Sequence, residues 1–284
     1  CQLPTADCFI VEWLGVRCSF GFAQLPDCEL PTERLATEMK RFSIQDRLAY
    51  TGGRLADWLL GQPVRWRRLG RHLSVLPGAI GGRWPGMGLD LRLPGRVGLW
   101  WSCGLILAGD ILGLPELYEI LTVWLKWNVR RLSAPEKVLA AEIYGNSIRL
   151  ERVLIDERAW IGPRQRRFCY VSFYTVNSWG TMWPGLLIHE LMHVWQYERW
   201  GSAYIPLALA AQRSPMGYNY GGVGALAAAF AGGSGLHNFN PEQQADIVAD
   251  AFCLRKGLPL RWEKGPVADE RVYAWFVEQL EFES

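Results

Sequence analysis

Gly185 to Gln196 reads GLLIHELMHVWQ and carries His189, Glu190 and His193 in the order His-Glu-x-x-His. In an α-helix, residues four apart lie about 40° apart around the axis, so both imidazoles leave one face a single turn apart. That spacing suits two nitrogen ligands on one tetrahedral Zn²⁺. Glu190 lies about 100° round from His189, at the edge of the same face. From there its carboxylate reaches a water on the metal without binding the metal itself, which is the position of a general base. Pro184 suits a first helical turn and Gly201 a stop. Leu186, Leu187, Met192, Val194 and Trp195 make the segment mostly apolar, which predicts burial, and buried imidazoles and carboxylates need partners. A chance match with satisfied core histidines is the bland alternative.

A second motif bears on that choice. In Asn240-Pro241-Glu242-Gln243-Gln244-Ala245-Asp246, Asn240 reads as an N-cap, Pro241 as the first helical residue and Gln243 as the far half of a capping box. The helix continues through Ile247, Val248, Ala251 and Phe252 and stops at Gly257, with Arg255 and Lys256 in its last turn. Glu242 and Asp246 share a face. A carboxylate ligand followed one turn later by an acceptor for a histidine N–H is the pairing a zinc site needs. A solvated acidic face, extended by Asp250, is the competing reading.

Together these residues resemble the gluzincin zinc metallopeptidases, with His-Glu-x-x-His on one helix and Glu-x-x-x-Asp on a later one. EQQAD is similar to the Glu-x-x-Ala-Asp signature of membrane-associated CAAX-processing and HtpX-like peptidases. Leu132 to Gly257 also resembles an uncharacterised bacterial zincin-like domain found in proteins linked to secreted toxins and contractile injection systems. The matching pieces are Leu132-Ser133 with Glu136, Tyr144-Gly145-Asn146-Ser147-Ile148, and His189 to Gln196. The resemblance covers under half the chain. It implies an α+β, predominantly α, zincin-like domain with a small sheet. It further implies one Zn²⁺ on His189, His193 and Glu242, with Glu190 as catalytic base and Asp246 orienting a ligand histidine.

The 284 residues suffice for one large domain or two small ones. We place a helical, Arg-rich and partly apolar extension in residues 1–130 and the zincin-like domain in residues 131–284. A net charge of +2 gives no case for a nucleic-acid partner. Fifteen Trp suit either an aromatic core or surfaces with one apolar and one wet side. The sequence begins at Cys1, which fits a fragment, a chain whose leader has been removed, or a lipoprotein. Cys1, Cys8, Cys18 and Cys28 could form two disulfides with three connectivities, and they lack the Cys-x-x-Cys spacing of structural zinc. Cys103, Cys169 and Cys253 read as buried thiols.

Residues 31–60 read as helical from a cap at Thr32, with an interruption at Gly52-Gly53. Residues 61–96, rich in Arg, Gly and Pro, predict irregular structure. Residues 97–127 then read as an apolar helical hairpin that packs on the catalytic domain or lies in a membrane surface. Asp110 and the late glycines argue against a span. An envelope, membrane-associated or secreted location is favoured over the free cytoplasm.

Ser133-Ala134-Pro135-Glu136 is a capping box opening a helix that ends at Gly145. Ser147 to Asp156 and Phe168 to Val176 read as two strands, and an edge strand of a zincin pairs with an extended substrate by strand addition. Ala203 to Gln212 reads as a helix, and the glycines of 221–222 and 232–235 suggest loops that could form a mobile lid. Tyr218, Tyr220 and His237 are candidate donors to the oxyanion of a tetrahedral intermediate, with His237 favoured as catalytic because it lies close to Glu242. Residues 266–281 read as a last helix. The reading is a zinc-dependent hydrolase cleaving a peptide or protein substrate. Its rivals are a binding or delivery module stapled by zinc and an amidase acting on cell-wall peptides. A structural site needs no base, so Glu190 argues against the binding module.

Overall fold

The computed structural model describes residues 42–162, 168–262 and 269–282, and these are mostly helical with one small mixed sheet. The cluster Cys1, Cys8, Cys18 and Cys28 and the cap at Thr32 lie outside the described residues.

Helix α1 (Ile44–Ser74) begins at Ser43, whose hydroxyl accepts from Asp46 N while Asp46 accepts from Ser43 N. It runs unbroken through Gly52-Gly53 and Pro63, so the interruption is corrected, and of the irregular stretch expected over 61–96 only 82–92 is irregular. The cause is tertiary. Arg54 and Arg65 face inward and meet Glu116 at 3.2 and 2.6 Å, and Arg54 Nε meets Glu119 at 2.7 Å. Breaking the helix here would strand these buried charges, which costs more than the roughly 1 kcal/mol of each helical glycine. A short helix, α2 (Leu76–Gly81), follows.

Helices α3 (Leu93–Ile111) and α4 (Leu114–Leu125) meet at a bend of 67°, so the expected hairpin is a corner. Among the described residues no single helix is long and apolar enough to cross a membrane. The corner leans on the second half of the chain through Asp110, whose Oδ2 accepts from Ser202 N at 2.9 Å and whose Oδ1 bonds Ser202 Oγ. Gly201 has φ +64°, and a Cβ there would stand 2.5 Å from Asp110 Oδ2, so the close approach requires glycine.

The sheet has strand order β1-β2-β4-β3, built from β1 (Arg130–Arg131), β2 (Leu154–Asp156), β3 (Tyr170–Ser172) and β4 (Thr175–Asn177). The β2–β4 pair is parallel and the other two are antiparallel. Residue 130/131, the expected domain boundary, falls inside β1. Phe168 to Val176 is therefore a tight hairpin and not one strand. Its turn residue Phe173 has φ +62°, a conformation a bulky side chain adopts only where its surroundings impose it. Here Phe173 N donates to Tyr204 Oη at 3.2 Å, and Tyr174 N donates to Glu119 Oε1 at 2.7 Å. In Ser147 to Asp156 only the last three residues are strand, after a 3₁₀ turn at Leu150–Arg152.

Helix α5 (Ala134–Tyr144) has the Ser133–Glu136 capping box and ends at Gly145 as the sequence predicts. Then come α6 (Pro184–Trp200), α7 (Tyr204–Arg213), α8 (Gly222–Ala231), α9 (Pro241–Arg255) and α10 (Glu270–Phe282). The Ala-rich segment between the expected lid loops is thus itself a helix. Cys103, Cys169 and Cys253 are buried and form no disulfide among the described residues. The main core lies where α6 and α9 cross, with Ile188, Leu191 and Met192 against Ile247, Val248 and Phe252. Tyr144 Oη donates to Ile188 O at 2.6 Å and ties α5 to the middle of α6.

Candidate metal centre

His189 and His193 leave α6 on one side, one turn apart, and face the first turn of α9. Asn240 accepts from Glu242 N and Gln243 N, and Gln243 Oε1 accepts from Asn240 N, so the capping box sets where Glu242 begins its turn. Glu242 Oε2 lies 3.4 Å from His189 Nε2 and 3.5 Å from His193 Nε2. Metal–ligand bonds of 2.0–2.2 Å in a tetrahedron give ligand–ligand edges of about 3.4 Å. Both carboxylate–imidazole distances fit edges of one such tetrahedron, the three ligand atoms all lie within 4.8 Å of one another, and all three residues are buried.

Glu242 divides its two oxygens sharply. Oε1 accepts from Gln212 Nε2 at 2.9 Å, whereas Oε2, on the imidazole side, is buried without a hydrogen-bond partner. A buried carboxylate oxygen left without a donor is costly, and a cation between the two Nε2 atoms removes the cost. The far nitrogens are fixed from behind. Asp246 Oδ1 lies 2.8 Å from His189 Nδ1, and Gln196 Oε1 lies 2.8 Å from His193 Nδ1. Both partners accept, so in the neutral imidazole each Nδ1 holds the proton and each Nε2 is left to direct a lone pair inward to a metal. Gln196 cannot turn its amide over, because its Nε2 donates to Pro241 O and Gln244 Oε1, both at 3.0 Å. Asp246 is held in turn by Arg261 Nη1 at 2.8 Å and Trp262 Nε1 at 2.7 Å.

The electrostatics favour positive charge between the imidazoles and Glu242, which protons on the imidazoles supply when no metal is bound and a metal cation would displace. Burial opposes charge on His189, yet Asp246 and Glu242 outweigh it and lift its pKa to about 10. His193 is raised in the same sense, against burial, chiefly by Glu242. Burial would raise Glu242 too, but the two imidazoles hold it well below the usual carboxylate range. Glu190, beside them and buried, is raised by burial, with Glu242 and Asp246 adding to the rise and the imidazoles opposing it.

Asp246→Ala is expected to weaken metal binding roughly 10–100-fold, the usual cost of losing a partner behind a ligand histidine. Competition against a chromophoric chelator measures it; an unchanged affinity would remove Asp246 from the site.

The remaining candidates separate. The Tyr218 ring lies 5.9 Å from that of His189, beneath the Arg261 guanidinium at 4.9 Å. Burial, then Glu242 and Glu190, raise its hydroxyl well above 10, so it stays protonated and able to donate. Tyr220 points elsewhere: its hydroxyl donates to Asp250 Oδ2 at 2.6 Å and lies 2.8 Å from Tyr273 Oη. His237 is exposed on the 3₁₀ turn Leu236–Asn238. A Cβ on Gly235 would meet His237 Nδ1 at 2.7 Å and Gln279 Oε1 at 2.9 Å, which puts His237 beside α10. That helix packs on Trp195, the opposite side of α6 from His193. Closeness in sequence to Glu242 did not bring His237 to the ligands, because its 3₁₀ turn is tied to α10 by Leu236 N, which donates to Gln279 Oε1 at 2.7 Å. Gln212 and the bracing role of Gln196 were missed. Gln212 carried one usable signal, a lone amide on the otherwise apolar run LALAAQ.

Asp250 belongs to the support of α9 and not to an exposed acidic face. Burial lifts its pKa from 3.8 to about 6, although Tyr220 Oη and Arg261 N donate to it. The folded chain therefore binds this proton more tightly than the unfolded chain. Its contribution to stability is complete below about pH 4 and is lost as pH rises through about 6, by an amount on the order of 2–3 kcal/mol. Asp250→Asn should flatten that slope in urea unfolding measured from pH 4 to 7, and an unchanged slope would refute the assignment.

The outer strand β3 is less open than the sequence suggested. Tyr204 Oη donates to Val171 O at 2.8 Å and receives Phe173 N, so part of the strand edge is already covered. The same tyrosine ring stacks on His193 at 6.3 Å. Comparisons with protein-family models, with curated proteins and with solved structures returned no match. The site is accordingly read from its own geometry.

Proposed function

We propose that the chain is a zinc-dependent hydrolase, a metallopeptidase of gluzincin type with a zincin-like arrangement of α6, α9 and the sheet. One observation carries the reading: Glu242 Oε2, buried and without a donor, stands one tetrahedral edge from both Nε2 atoms. Two imidazoles and a carboxylate with no thiolate suit zinc, and this is a donor set of catalytic zinc peptidases. When bound there, zinc acidifies water and polarises a carbonyl. His189, His193 and Glu242 would hold it. Among the described residues no fourth ligand joins them, which favours an open site over a closed structural one.

Glu190 does the proton work. Its carboxyl is buried at the edge of the imidazole face and its pKa is raised, so it takes the proton of the attacking water and returns it to the departing amine. Tyr218, protonated and next to His189, donates to the oxygen that gains charge on the substrate carbonyl. Asp246 and Gln196 keep the two imidazoles in the required tautomers. Metal analysis of the purified protein, followed by a peptide-library digest with and without chelator, tests the proposal. Bound zinc and chelator-sensitive cleavage are expected; protein purified without a chelator that holds no divalent metal and takes up no added zinc would refute it.

A further inference from the structure

Exposed apolar side chains are unevenly distributed. Of the 24 large ones among the described residues, 19 lie between Ile44 and Trp127. On α1, six of the eight exposed large apolar side chains, Ile44, Leu48, Leu55, Leu59, Trp66 and Leu73, fall within about 60° of arc at 100° per residue, and Leu60 and Val64 lie outside it. This stripe runs beside the α3–α4 corner. Gln62 and Thr51 lie along its edge, and they bond Ile111 O at 3.0 Å and Trp124 Nε1 at 3.0 Å. The corner continues the surface with Trp101 and Leu105 on α3, Leu112 just after it, and Leu117, Leu121 and Trp124 on α4, all exposed. Monomeric proteins rarely leave so large an apolar patch without a partner.

The patch has the chemistry of a lipid-facing surface. Between Trp101 and Leu125 the only charged residues are Asp110, Glu116 and Glu119, and all three are buried and satisfied from within by Ser202, Arg54 and Arg65. Four indoles, Trp66, Trp101, Trp124 and Trp127, are exposed around it, the side chain most favoured where hydrocarbon meets water. Arg67 and Arg71 on α1 and Arg83 and Arg92 between α2 and α3 are exposed, against two exposed acids, Asp46 and Asp90, so the exposed charge of this part of the chain is net basic. A recess of about 390 Å³ indents the face between Leu105 and Leu114, lined by Ile106, Pro115 and Phe173. Its acid, Asp110, is engaged by Ser202, so hydrocarbon fills it without leaving a polar group unpaired. The 67° bend lets both helices lie along a surface where neither could cross one.

We propose that the outer faces of α1, α3 and α4 dock on an anionic lipid bilayer, drawn to it by the net basic charge exposed on the same part of the chain. Docking would hold the β3–β4 hairpin, whose Phe173 lines the recess, close to the bilayer. It requires no metal and no hydrolysis.

Flotation of the full chain with vesicles tests this. The protein is expected to float with vesicles of phosphatidylcholine and phosphatidylglycerol, and at least tenfold less with phosphatidylcholine alone. The triple variant Leu105→Glu, Leu117→Glu, Leu121→Glu, altered only at exposed positions, should lose at least tenfold in binding with an unchanged circular dichroism spectrum. Glu190→Gln should float like the unaltered chain, so failure here is distinct from failure of the hydrolase proposal. Absence of flotation with either vesicle, equal flotation of the triple variant, or a soluble dimer that the triple variant disperses would each overturn the docking.

Discussion

Glu190→Gln is expected to keep zinc at its full stoichiometry and to lose hydrolysis by roughly a hundred- to ten-thousand-fold, the range of a general acid–base group. The separation follows from the geometry. Glu190 is not among the three atoms clustered for a metal, and it makes no hydrogen bond to the ligand histidines, so removing its charge leaves His189, His193 and Glu242 in place. Gln matches its shape inside the packed α6 core while losing the ability to accept a proton. The fall should appear in kcat far more than in KM, because the proton moves only in the reacting complex. Zinc content by mass spectrometry beside steady-state kinetics decides the point. Full activity in the variant would end the proposed mechanism, whatever the metal content.

His193→Ala is the second large effect, and it acts on the metal. Loss of a ligand should exceed the roughly 10–100-fold cost of losing a partner behind one. Glu242 Oε2 would then face a single imidazole, and zinc should leave on dialysis with activity falling to background. Thermal unfolding supplies a readout independent of catalysis. A ligand at a thousand times its Kd stabilises the folded state by about 4 kcal/mol, so a chelator should lower the Tm of the unaltered protein. The Tm of His193→Ala should not respond, because there is no metal to withdraw. A chelator response of equal size in both proteins would place the metal somewhere other than this cluster.

Both effects concern residues legible in the chain before any fold was known, and the reason is local. Side chains four apart on a helix share a face by geometry alone, so His189 with His193 and Glu242 with Asp246 could be paired on sight. Capping has the same short range, and the boxes at Ser133 and Asn240 open helices where they were expected. The failures share a cause as well. Gly52-Gly53 and Pro63 are ordinary breakers, but α1 ignores them because its arginines are paired with carboxylates more than forty residues away. The strand read from Phe168 to Val176 folds back at Phe173, since Tyr204 and Glu119 seize the two turn amides. His237 and Tyr220 had suitable chemistry, but Tyr220 is bonded to Asp250, and His237 lies exposed on a 3₁₀ turn whose Leu236 N donates to Gln279.

The chain by itself thus determined the two helices, the face each presents and the residue types fit for a metal, all set by spacings of three or four residues. Tertiary structure alone decided that Glu242 meets both imidazoles, that Gln212 and Gln196 brace the cluster, and that three helices leave an apolar face uncovered. Those outcomes depend on how α6, α9 and the α3–α4 corner cross in space. Crossing is set by the fit of whole buried surfaces, which no short window of sequence contains.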